Sequence, residues 1–242
     1  MSSPNFTRWF MPLLGLAAAL GMALTTGCSG LLPKGTAPPR VYTLDAAHIP
    51  GSTTPPVEAA PTLIINPTRA APGFDSQHMV YVRTAHQLEH FARSDWVDTP
   101  ARMLAPLIVS AVESTGVFRA AGPATSGIAG DLRLDTEVLR LQQEFGDGPS
   151  RVRFALRATL TNNATRQVIS WREFEETVRS ESEDPYGGVV AANRAVQLVM
   201  EQLAGFCTLA SEPWRASNQS SRGRSTTTEC RVRDSDGRCP LR

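Results

Sequence analysis

Three consecutive segments within residues 132–178 alternate apolar and polar residues with a period of two. This alternation is typical of β-strands that bury one face and expose the other. Short turn-forming sequences at residues 146–149 and 162–163 separate the three segments. Because short connections join antiparallel neighbours, the pattern predicts a three-stranded meander with one face free for helices. The middle strand shows it most clearly, with apolar positions at Val152, Phe154, Leu156, Ala158 and Leu160.

The first strand of this meander changes phase near Val138. Its apolar residues up to that point share one face, whereas Leu139, Leu141 and Phe145 share the other. One extra residue in a strand reverses the faces of all the residues that follow it, which is the effect of a β-bulge. We therefore predict a bulge near Val138.

A helix is predicted between Pro100 and Gly116. Asp98 or Thr99 can accept hydrogen bonds from the free backbone N–H groups of its first turn, where Pro100 is well tolerated. Gly116 suits the end of the helix, because glycine adopts the left-handed conformation without strain. Pro106 lies inside the helix and removes one backbone hydrogen bond, so we expect a kink or a later start.

A second helix is predicted to open with Asp184 as its cap and Pro185 in its first turn. Apolar residues then recur at helical spacing from Val189 to Phe206. Shorter strands are predicted at residues 62–66, 78–83, 87–92 and 117–120, and residues 41–44 form a strand-like island that can pair with a sheet edge. These elements predict the α/β (α+β) class: a single domain with a mixed, mostly antiparallel sheet and two main helices packed on it.

The N-terminal segment predicts export and lipidation. Arg8 is the only charge before an apolar run at residues 9–24, which is shorter than the roughly 20 residues of a spanning helix. The run closes in small residues directly before Cys28, and this segment resembles a lipobox. We therefore predict a signal peptide at residues 1–27 and a lipid on Cys28; the alternative is an ordinary cleaved signal with an accidental cysteine. Ser29, rather than aspartate, favours the outer membrane by resemblance to enterobacterial lipoproteins.

Composition divides the mature chain into three parts. Residues 28–60 are rich in Pro, Gly, Thr and Ala, which is typical of a flexible tether. Residues 61–207 carry most of the predicted strands and both helices and are expected to form the folded domain. Residues 208–242 are rich in polar residues and lack an apolar period, so we predict a disordered polar tail.

The cysteines allow at most one disulfide within the chain. Besides Cys28, the sequence contains Cys207, Cys230 and Cys239. Cys230 and Cys239 flank a short polar segment with a glycine, so they are the candidate pair in an oxidising compartment. Cys207 follows an apolar helix and is expected to be buried.

No catalytic or metal-binding motif is recognisable in the sequence. It lacks the G-x-S-x-G elbow, the Walker loop, the G-x-G-x-x-G turn and the H-E-x-x-H helix. His86 and His90 are four residues apart, but their segment is predicted to be a strand, so we interpret them as solvated. We expect no enzyme activity and no cofactor. The net charge of +1 gives no basic excess, so nucleic acid is not an expected partner.

Arginines are concentrated on the predicted meander. They either form a basic surface that faces lipid or a partner, or belong to a solvated face that nearby glutamates neutralise. We favour the second interpretation, because glutamates occur on the adjacent strands. Trp96 and Trp171 are interpreted as core anchors. The candidate lipid- or partner-facing residues are Arg151, Arg153 and Arg157; Arg133 and Arg140 accompany them, and the glutamates are Glu137, Glu144, Glu173 and Glu175.

Several segments in fixed order are similar to one known family. They are Cys28, residues 42–44, residues 96–100 leading into the first helix, residues 116–118, residues 131–134, the strand at residues 152–160, residues 171–174 and the alanine-rich closing helix. In this order the segments resemble the ABC-type transport auxiliary lipoproteins, the PqiC/YmbA group. The resemblance covers roughly residues 28–206, and the tail with Cys230 and Cys239 departs from it.

The resemblance implies a role in transport rather than catalysis. The resemblance implies a periplasmic domain on the outer membrane that works with an MCE-domain protein and an inner-membrane ABC permease and ATPase. Such systems move phospholipids or other hydrophobic molecules between membranes. The expected role is docking of the MCE protein, with a homo-oligomeric ring as a further hypothesis. The alternative is a lipoprotein that assists outer-membrane assembly or polymer export.

Overall fold

The computed structural model describes residues 38–45 and 60–228, with side chains described as far as residue 217. Within these residues the chain forms nine β-strands and two α-helices. In chain order they are β1 (Arg40–Tyr42), β2 (Thr62–Ile65), β3 (Arg69–Ala70), β4 (His78–Val82), β5 (Glu89–Trp96), α1 (Pro100–Glu113), β6 (Ala120–Pro123), a 3₁₀ turn (Ala124–Ser126), β7 (Leu132–Glu144), β8 (Arg151–Asn162), β9 (Val168–Arg179) and α2 (Pro185–Thr228). The predicted signal peptide and Cys28 lie outside the described residues.

Strand β7 is the centre of the sheet. On one side it pairs antiparallel with β8, which pairs antiparallel with β9, so the predicted meander is confirmed. On its other side β7 pairs in parallel with β2, β3 and β4 at successive points along its length. Beyond these, β6 adds in parallel to β2, β5 adds antiparallel to β4, and β1 adds in parallel to β5. The sheet is therefore mixed, with its longest ladders antiparallel, and the predicted fold class is confirmed.

The predicted bulge in β7 is present. Val138 pairs with Leu156 and Arg140 pairs with Ala155, so the register shifts by one residue between them. Because of this shift Val138 and Leu141 are both buried, although their positions differ by three and a regular strand would place them on opposite faces. The bulge thus keeps apolar side chains on the helix-covered face along the whole of β7, and it turns the intervening polar side chains to the opposite face.

The two helices cover one face of the sheet and enclose the core. The rings of Phe174 on β9 and Phe206 on α2 meet edge to face at 5.8 Å, which joins the sheet to the longer helix. Complementary apolar stripes on both helices and on the meander are removed from solvent. The fully buried side chains include Ile108, Ala111 and Val112 on α1, Val196, Val199, Met200 and Leu203 on α2, and Phe154, Leu156 and Leu160 on β8.

The helix ends follow the sequence in part. Asp184 caps α2 as predicted: its Oδ1 accepts hydrogen bonds from the Gly187 N–H at 2.8 Å and the Ser182 hydroxyl at 2.6 Å. These bonds, the one from Ser182 first, hold the pKa of Asp184 below its ordinary value. At the start of α1, by contrast, Thr99 makes no side-chain cap, and the Asp98 carboxylate accepts from the Thr99 N–H at 2.7 Å and lies 3.5 Å from Arg102. Gly116, with φ of 64°, follows the end of α1 as expected.

Helix α1 begins at Pro100 and continues through Pro106. Of the two effects expected from Pro106, a kink or a later start, the later start is therefore excluded. The strand predicted at residues 117–120 was also misplaced, because β6 spans Ala120–Pro123 and pairs with β2 there. Phe118 is buried but precedes the strand, so its apolar character reflects packing against the core rather than strand pairing.

The limits of the folded domain differ from those predicted. Leu44 is a buried core residue and Arg40–Tyr42 form β1, so folding begins inside the predicted tether. At the other end α2 continues past Cys207 to Thr228, which corrects the prediction that disorder starts at residue 208. Ser211 is buried, and Ala210 and Trp214 pack against the core, which explains why the helix extends there. Cys230 and Cys239 lie outside the described residues.

Candidate functional site

The face of the meander opposite the helices carries the candidate site. We call this surface the open face; its side chains are mostly charged. Because paired residues in an antiparallel ladder share a face, the register places charged side chains of the three strands side by side. On β7 they are Arg133, Asp135, Glu137, Arg140 and Glu144, on β8 Arg151, Arg153 and Arg157, and on β9 Glu173, Glu175 and Arg179.

The arginines of the open face are paired with carboxylates, as predicted. Arg157 lies 2.6 Å from Glu173 and 3.3 Å from Glu137, and its hydrogen bond to Glu173 raises the pKa of Arg157. Each of the candidate residues Arg151, Arg153 and Arg157 takes part in at least one ion pair. Exposed pairs of this kind contribute little to stability, so the charges remain available to a partner.

Three arginines share the two carboxylates of Glu144 and Glu175. Glu175 lies 3.4 Å from Arg140 and 3.1 Å from Arg153. Glu144 lies 3.3 Å from Arg151 and 3.6 Å from Arg153. Arg133, which is further along β7, pairs instead with Asp135 at 3.0 Å.

Two loops overhang the open face and form a cleft of about 410 Å³. One is the β3–β4 connection, which carries Phe74, and the other is the β4–β5 connection, which carries His86 and Leu88. The backbone of His86 has φ of 67°, a conformation that residues other than glycine seldom adopt. This cleft could not be predicted from the sequence, because its walls are separated along the chain from the strands beneath it. Its lining comprises Phe74, Val82, Ala85, His86, Leu88, Arg140, Gln142, Glu144 and Arg153.

The two tryptophans have different environments. Trp96 is buried in the core, as predicted, whereas Trp171 is 63% exposed, so its interpretation as a core anchor was wrong. The reason is strand phase: Phe174 points into the core, and Trp171, three residues earlier on the same strand, points to the open face opposite Thr159. The alternation of β9 contained this signal.

The histidines do not form a metal site within the part of the chain that the structure describes. His86 lies in the cleft, while the ring of His90 stacks on that of His78 with centroids 4.8 Å apart. His78 Nδ1 is 2.9 Å from Asp95 Oδ1. Residues 38–45 and 60–228 hold no cluster of three His, Cys, Asp or Glu side chains suited to a metal ion.

Cys207 is fully buried in the core, as predicted, and burial raises the pKa of its thiol to about 12. We therefore expect this thiol to resist maleimide in the native protein at about pH 8 and to react once the chain is unfolded, because only the thiolate of an accessible cysteine attacks. Peptide mapping distinguishes Cys207 from the other cysteines.

The same pKa predicts an alkaline loss of stability. In the unfolded chain the thiol ionises above about pH 9, whereas in the folded chain it ionises only near 12. Its contribution is thus constant below about pH 9 and is lost as the pH rises, by roughly 1.4 kcal/mol at about pH 10. Denaturant unfolding of the wild type and of Cys207→Ala, below pH 9 and at about pH 10, isolates the contribution of this thiol to the free energy of unfolding. Equal pH dependence of the two proteins would contradict it.

The sequence profile of the family described as ABC-type transport auxiliary lipoprotein component matches residues 42–204. The match runs from β1 into α2 and covers more than half of the chain. The chain belongs to this family. The resemblance inferred from the segments above is therefore confirmed, and this auxiliary lipoprotein has its open face and its cleft within the matched region.

Two solved structures share the fold of this auxiliary lipoprotein. A protein from Xanthomonas campestris has a TM-score of 0.64 and 22% sequence identity, and the alignment covers 72% of this chain and 97% of that chain. A second, described only as an uncharacterized protein, has a TM-score of 0.54 at 14% identity and covers 69% and 97%. At these identities the similarity concerns the fold alone. A comparison with curated proteins gave no significant match.

The longer helix of this auxiliary lipoprotein is not a membrane span. Of the helices within residues 38–45 and 60–228, none combines the length and the apolar character needed to cross a bilayer.

Proposed function

We propose that this protein is a periplasmic lipoprotein, anchored to the outer membrane through Cys28, that docks an MCE-domain protein of an ABC-type lipid transport system. The match of residues 42–204 to the auxiliary lipoprotein family carries the proposal. The apolar run before Cys28 supports lipidation, and Ser29 supports the outer membrane as the destination. The protein acts by binding and positioning its partner, without catalysis.

We assign docking to the open face around Trp171. Trp171 is 63% exposed on β9 and is surrounded by ion-paired arginines and glutamates such as Arg157 and Glu173. Aromatic side chains with a charged surround are typical of protein interfaces, where the aromatic group supplies affinity and the charges supply orientation. The partner therefore carries an apolar pocket with interleaved charges. A homo-oligomeric ring that presents several such faces matches the ring of an MCE protein.

The test is crosslinking and affinity purification of the full lipidated protein from its own envelope. We expect to recover an MCE-domain protein with its permease and ATPase. Recovery is expected to fall with Cys28→Ala, because the protein leaves the membrane, and with Trp171→Ala, because the interface loses its aromatic anchor. Leu209→Ala is the matched control, since Leu209 is 66% exposed but lies on α2.

Three results would each contradict one part of the proposal: the transport role, the place of Trp171 in the interface, and the ring. Recovery of barrel-assembly or polymer-export proteins instead would favour the alternative role in outer-membrane assembly or export. Equal recovery with Trp171→Ala and wild type would exclude Trp171 from the interface. Native mass spectrometry of the membrane-extracted protein tests the ring, which a monomeric mass contradicts.

A further inference from the structure

Four of the eight large apolar side chains that are exposed in the described part of the chain surround β1. This strand lies at an edge of the sheet and pairs with β5. The Val97 N–H donates to the Tyr42 carbonyl at 2.7 Å, and the Tyr42 ring lies 6.3 Å from that of Tyr186 on α2. We call this surface the β1 rim; it comprises Val41, Val97, Tyr186 and Val190, which are 57%, 54%, 58% and 37% exposed.

Asn193 on α2 fixes the chain that follows β1. Its Oδ1 accepts a hydrogen bond from the Asp45 N–H at 2.8 Å, and its Nδ2 donates to the Thr43 carbonyl at 3.2 Å. Leu44, between these two residues, is buried in the core. The β1 rim is therefore held in a fixed position on the domain, at the point where the chain from Cys28 enters it.

The stretch of chain between the predicted lipid and the β1 rim is short. Eleven residues separate Cys28 from Arg40, the first residue of β1, whereas composition predicted a tether that continues to residue 60. Even a fully extended chain of this length spans only about 40 Å. Short linkers give a second contact an effective concentration in roughly the millimolar range. A weak affinity of the β1 rim for lipid is therefore sufficient to keep it on the bilayer.

The side chains of the β1 rim match the chemistry of a bilayer surface. Tyrosine is enriched at membrane interfaces because its ring enters the apolar region while its hydroxyl remains in water. Tyr186 and Val190 are one turn apart on α2 and so lie on the same side of that helix. Val41 alternates with Tyr42 along the strand and so adds apolar area on the opposite side of β1.

The β1 rim carries no strong net charge. Arg40 and Arg194 are matched in number by Asp45 and Asp184. Contact with a bilayer is therefore mainly apolar, and we expect it to need no anionic lipid. Two further carboxylates are already paired within the domain: Asp95 with His78 at 2.9 Å and Asp98 with Arg102 at 3.5 Å.

We propose that the β1 rim is the side of the domain that contacts the bilayer, with Tyr186 and Val190 inserted among the lipid headgroups. The inference rests on the proposed lipid at Cys28, which brings the rim to the membrane. Strands β5, β4, β7 and β8 separate β1 from β9, and at about 4.8 Å per strand this places β9 roughly 24 Å away. In this orientation Trp171 on β9 stays clear of the bilayer and remains accessible to a partner in the periplasm.

The test is hydroxyl-radical footprinting of the full mature chain on nanodiscs of phosphatidylcholine. The chain carries Cys28→Ala and an N-terminal histidine tag, and nickel-chelating lipid in the nanodisc holds it by that end. Mass spectrometry measures the oxidation of each side chain, and the same chain with nanodiscs that lack the nickel lipid is the reference. We expect tethering to lower the oxidation of Tyr186 about threefold, as for contact in roughly two thirds of the molecules, and to leave that of Trp171 unchanged.

The double variant Val41→Asp/Val190→Asp is expected to abolish this protection of Tyr186, because a carboxylate is unfavourable in the apolar part of the interface. Both valines are exposed, so the fold should be retained. Leu209→Asp is the matched control: Leu209 is 66% exposed on the same helix but outside the β1 rim, and this variant should keep the protection.

Unchanged oxidation of Tyr186 on tethering, or protection that survives Val41→Asp/Val190→Asp, would overturn the proposal. Protection of Trp171 instead would place the opposite end of the sheet on the bilayer. Protection of Tyr186 that rises with protein concentration in the absence of nanodiscs would assign the β1 rim to contact with a second copy of the chain. Because the nickel lipid replaces the native anchor, these outcomes do not depend on whether Cys28 is lipidated, which membrane fractionation of Cys28→Ala tests separately.

Discussion

Replacing Cys28 with alanine is expected to release the protein from the membrane fraction. The predicted lipid is a diacylglycerol on the thiol, and each buried CH₂ group contributes about 0.8 kcal/mol to membrane binding. Two chains together give stable attachment, whereas the helices in the described part of the chain are not suited to span a bilayer. Membrane fractionation and the intact mass of the extracted protein measure the change.

Cys207→Ala is the matched control for this experiment. It also removes one thiol, but Cys207 is buried in the core and cannot carry a lipid. We expect that variant to stay in the membrane fraction with the mass of a lipidated chain. If Cys28→Ala also stays there with an unchanged mass, Cys28 is not the lipidation site, and the alternative of an ordinary cleaved signal peptide gains support.

Phe154→Ala is expected to lower the free energy of unfolding by about 3–5 kcal/mol. Phe154 lies in the middle of β8, is fully buried and is paired with Leu141 of β7 and Glu176 of β9. Truncation removes an aromatic ring from the centre of the sheet and leaves a cavity that the strands on both sides prevent from closing. Denaturant unfolding of the mature Cys28→Ala chain, with and without this substitution, measures the loss.

Trp171→Ala is the contrasting substitution on the adjacent strand. Trp171 is the larger aromatic side chain, but it is 63% exposed, so its removal should change the free energy of unfolding by less than about 0.5 kcal/mol. Comparing the two variants therefore shows whether the loss of stability depends on the burial of the aromatic side chain rather than on its size. A large loss with Trp171→Ala, or a small one with Phe154→Ala, would mean that the helices cover the opposite face of the meander.

The sequence predicted well the elements that depend on contacts between residues close together in the chain. The meander, its bulge near Val138 and the capped start of α2 depend on neighbouring residues: alternation, short turns and an aspartate followed by proline. The pairing of Arg157 with Glu137 and Glu173 also follows from local register. Here the physical cause and the sequence signal lie within the same few residues.

The contacts that sequence missed are non-local or depend on packing. The parallel pairing of β2, β3 and β4 with β7 joins residues far apart in the chain, and the alternation of β7 does not specify its partner on that side. The extension of α2 beyond Cys207 depends on Ser211 and Trp214 meeting the core. The cleft needs Leu88 from one loop and Arg153 from a strand, so no single segment contains its pattern.

The position of β7 also determines the order in which the chain can fold. Its partners β2, β3 and β4 precede it in the chain, and the bond from the Thr62 N–H to the Asp131 carboxylate spans 69 residues. An exported chain crosses the inner membrane with its N-terminus first, so these strands emerge long before β7 can receive them. Their apolar edges stay unpaired during that time, and pairing across such a separation is slow. If the chain is exported to the periplasm as proposed, the first half of the domain is exposed to aggregation during delivery, and a periplasmic chaperone that holds extended chains is expected to raise the yield of folded protein.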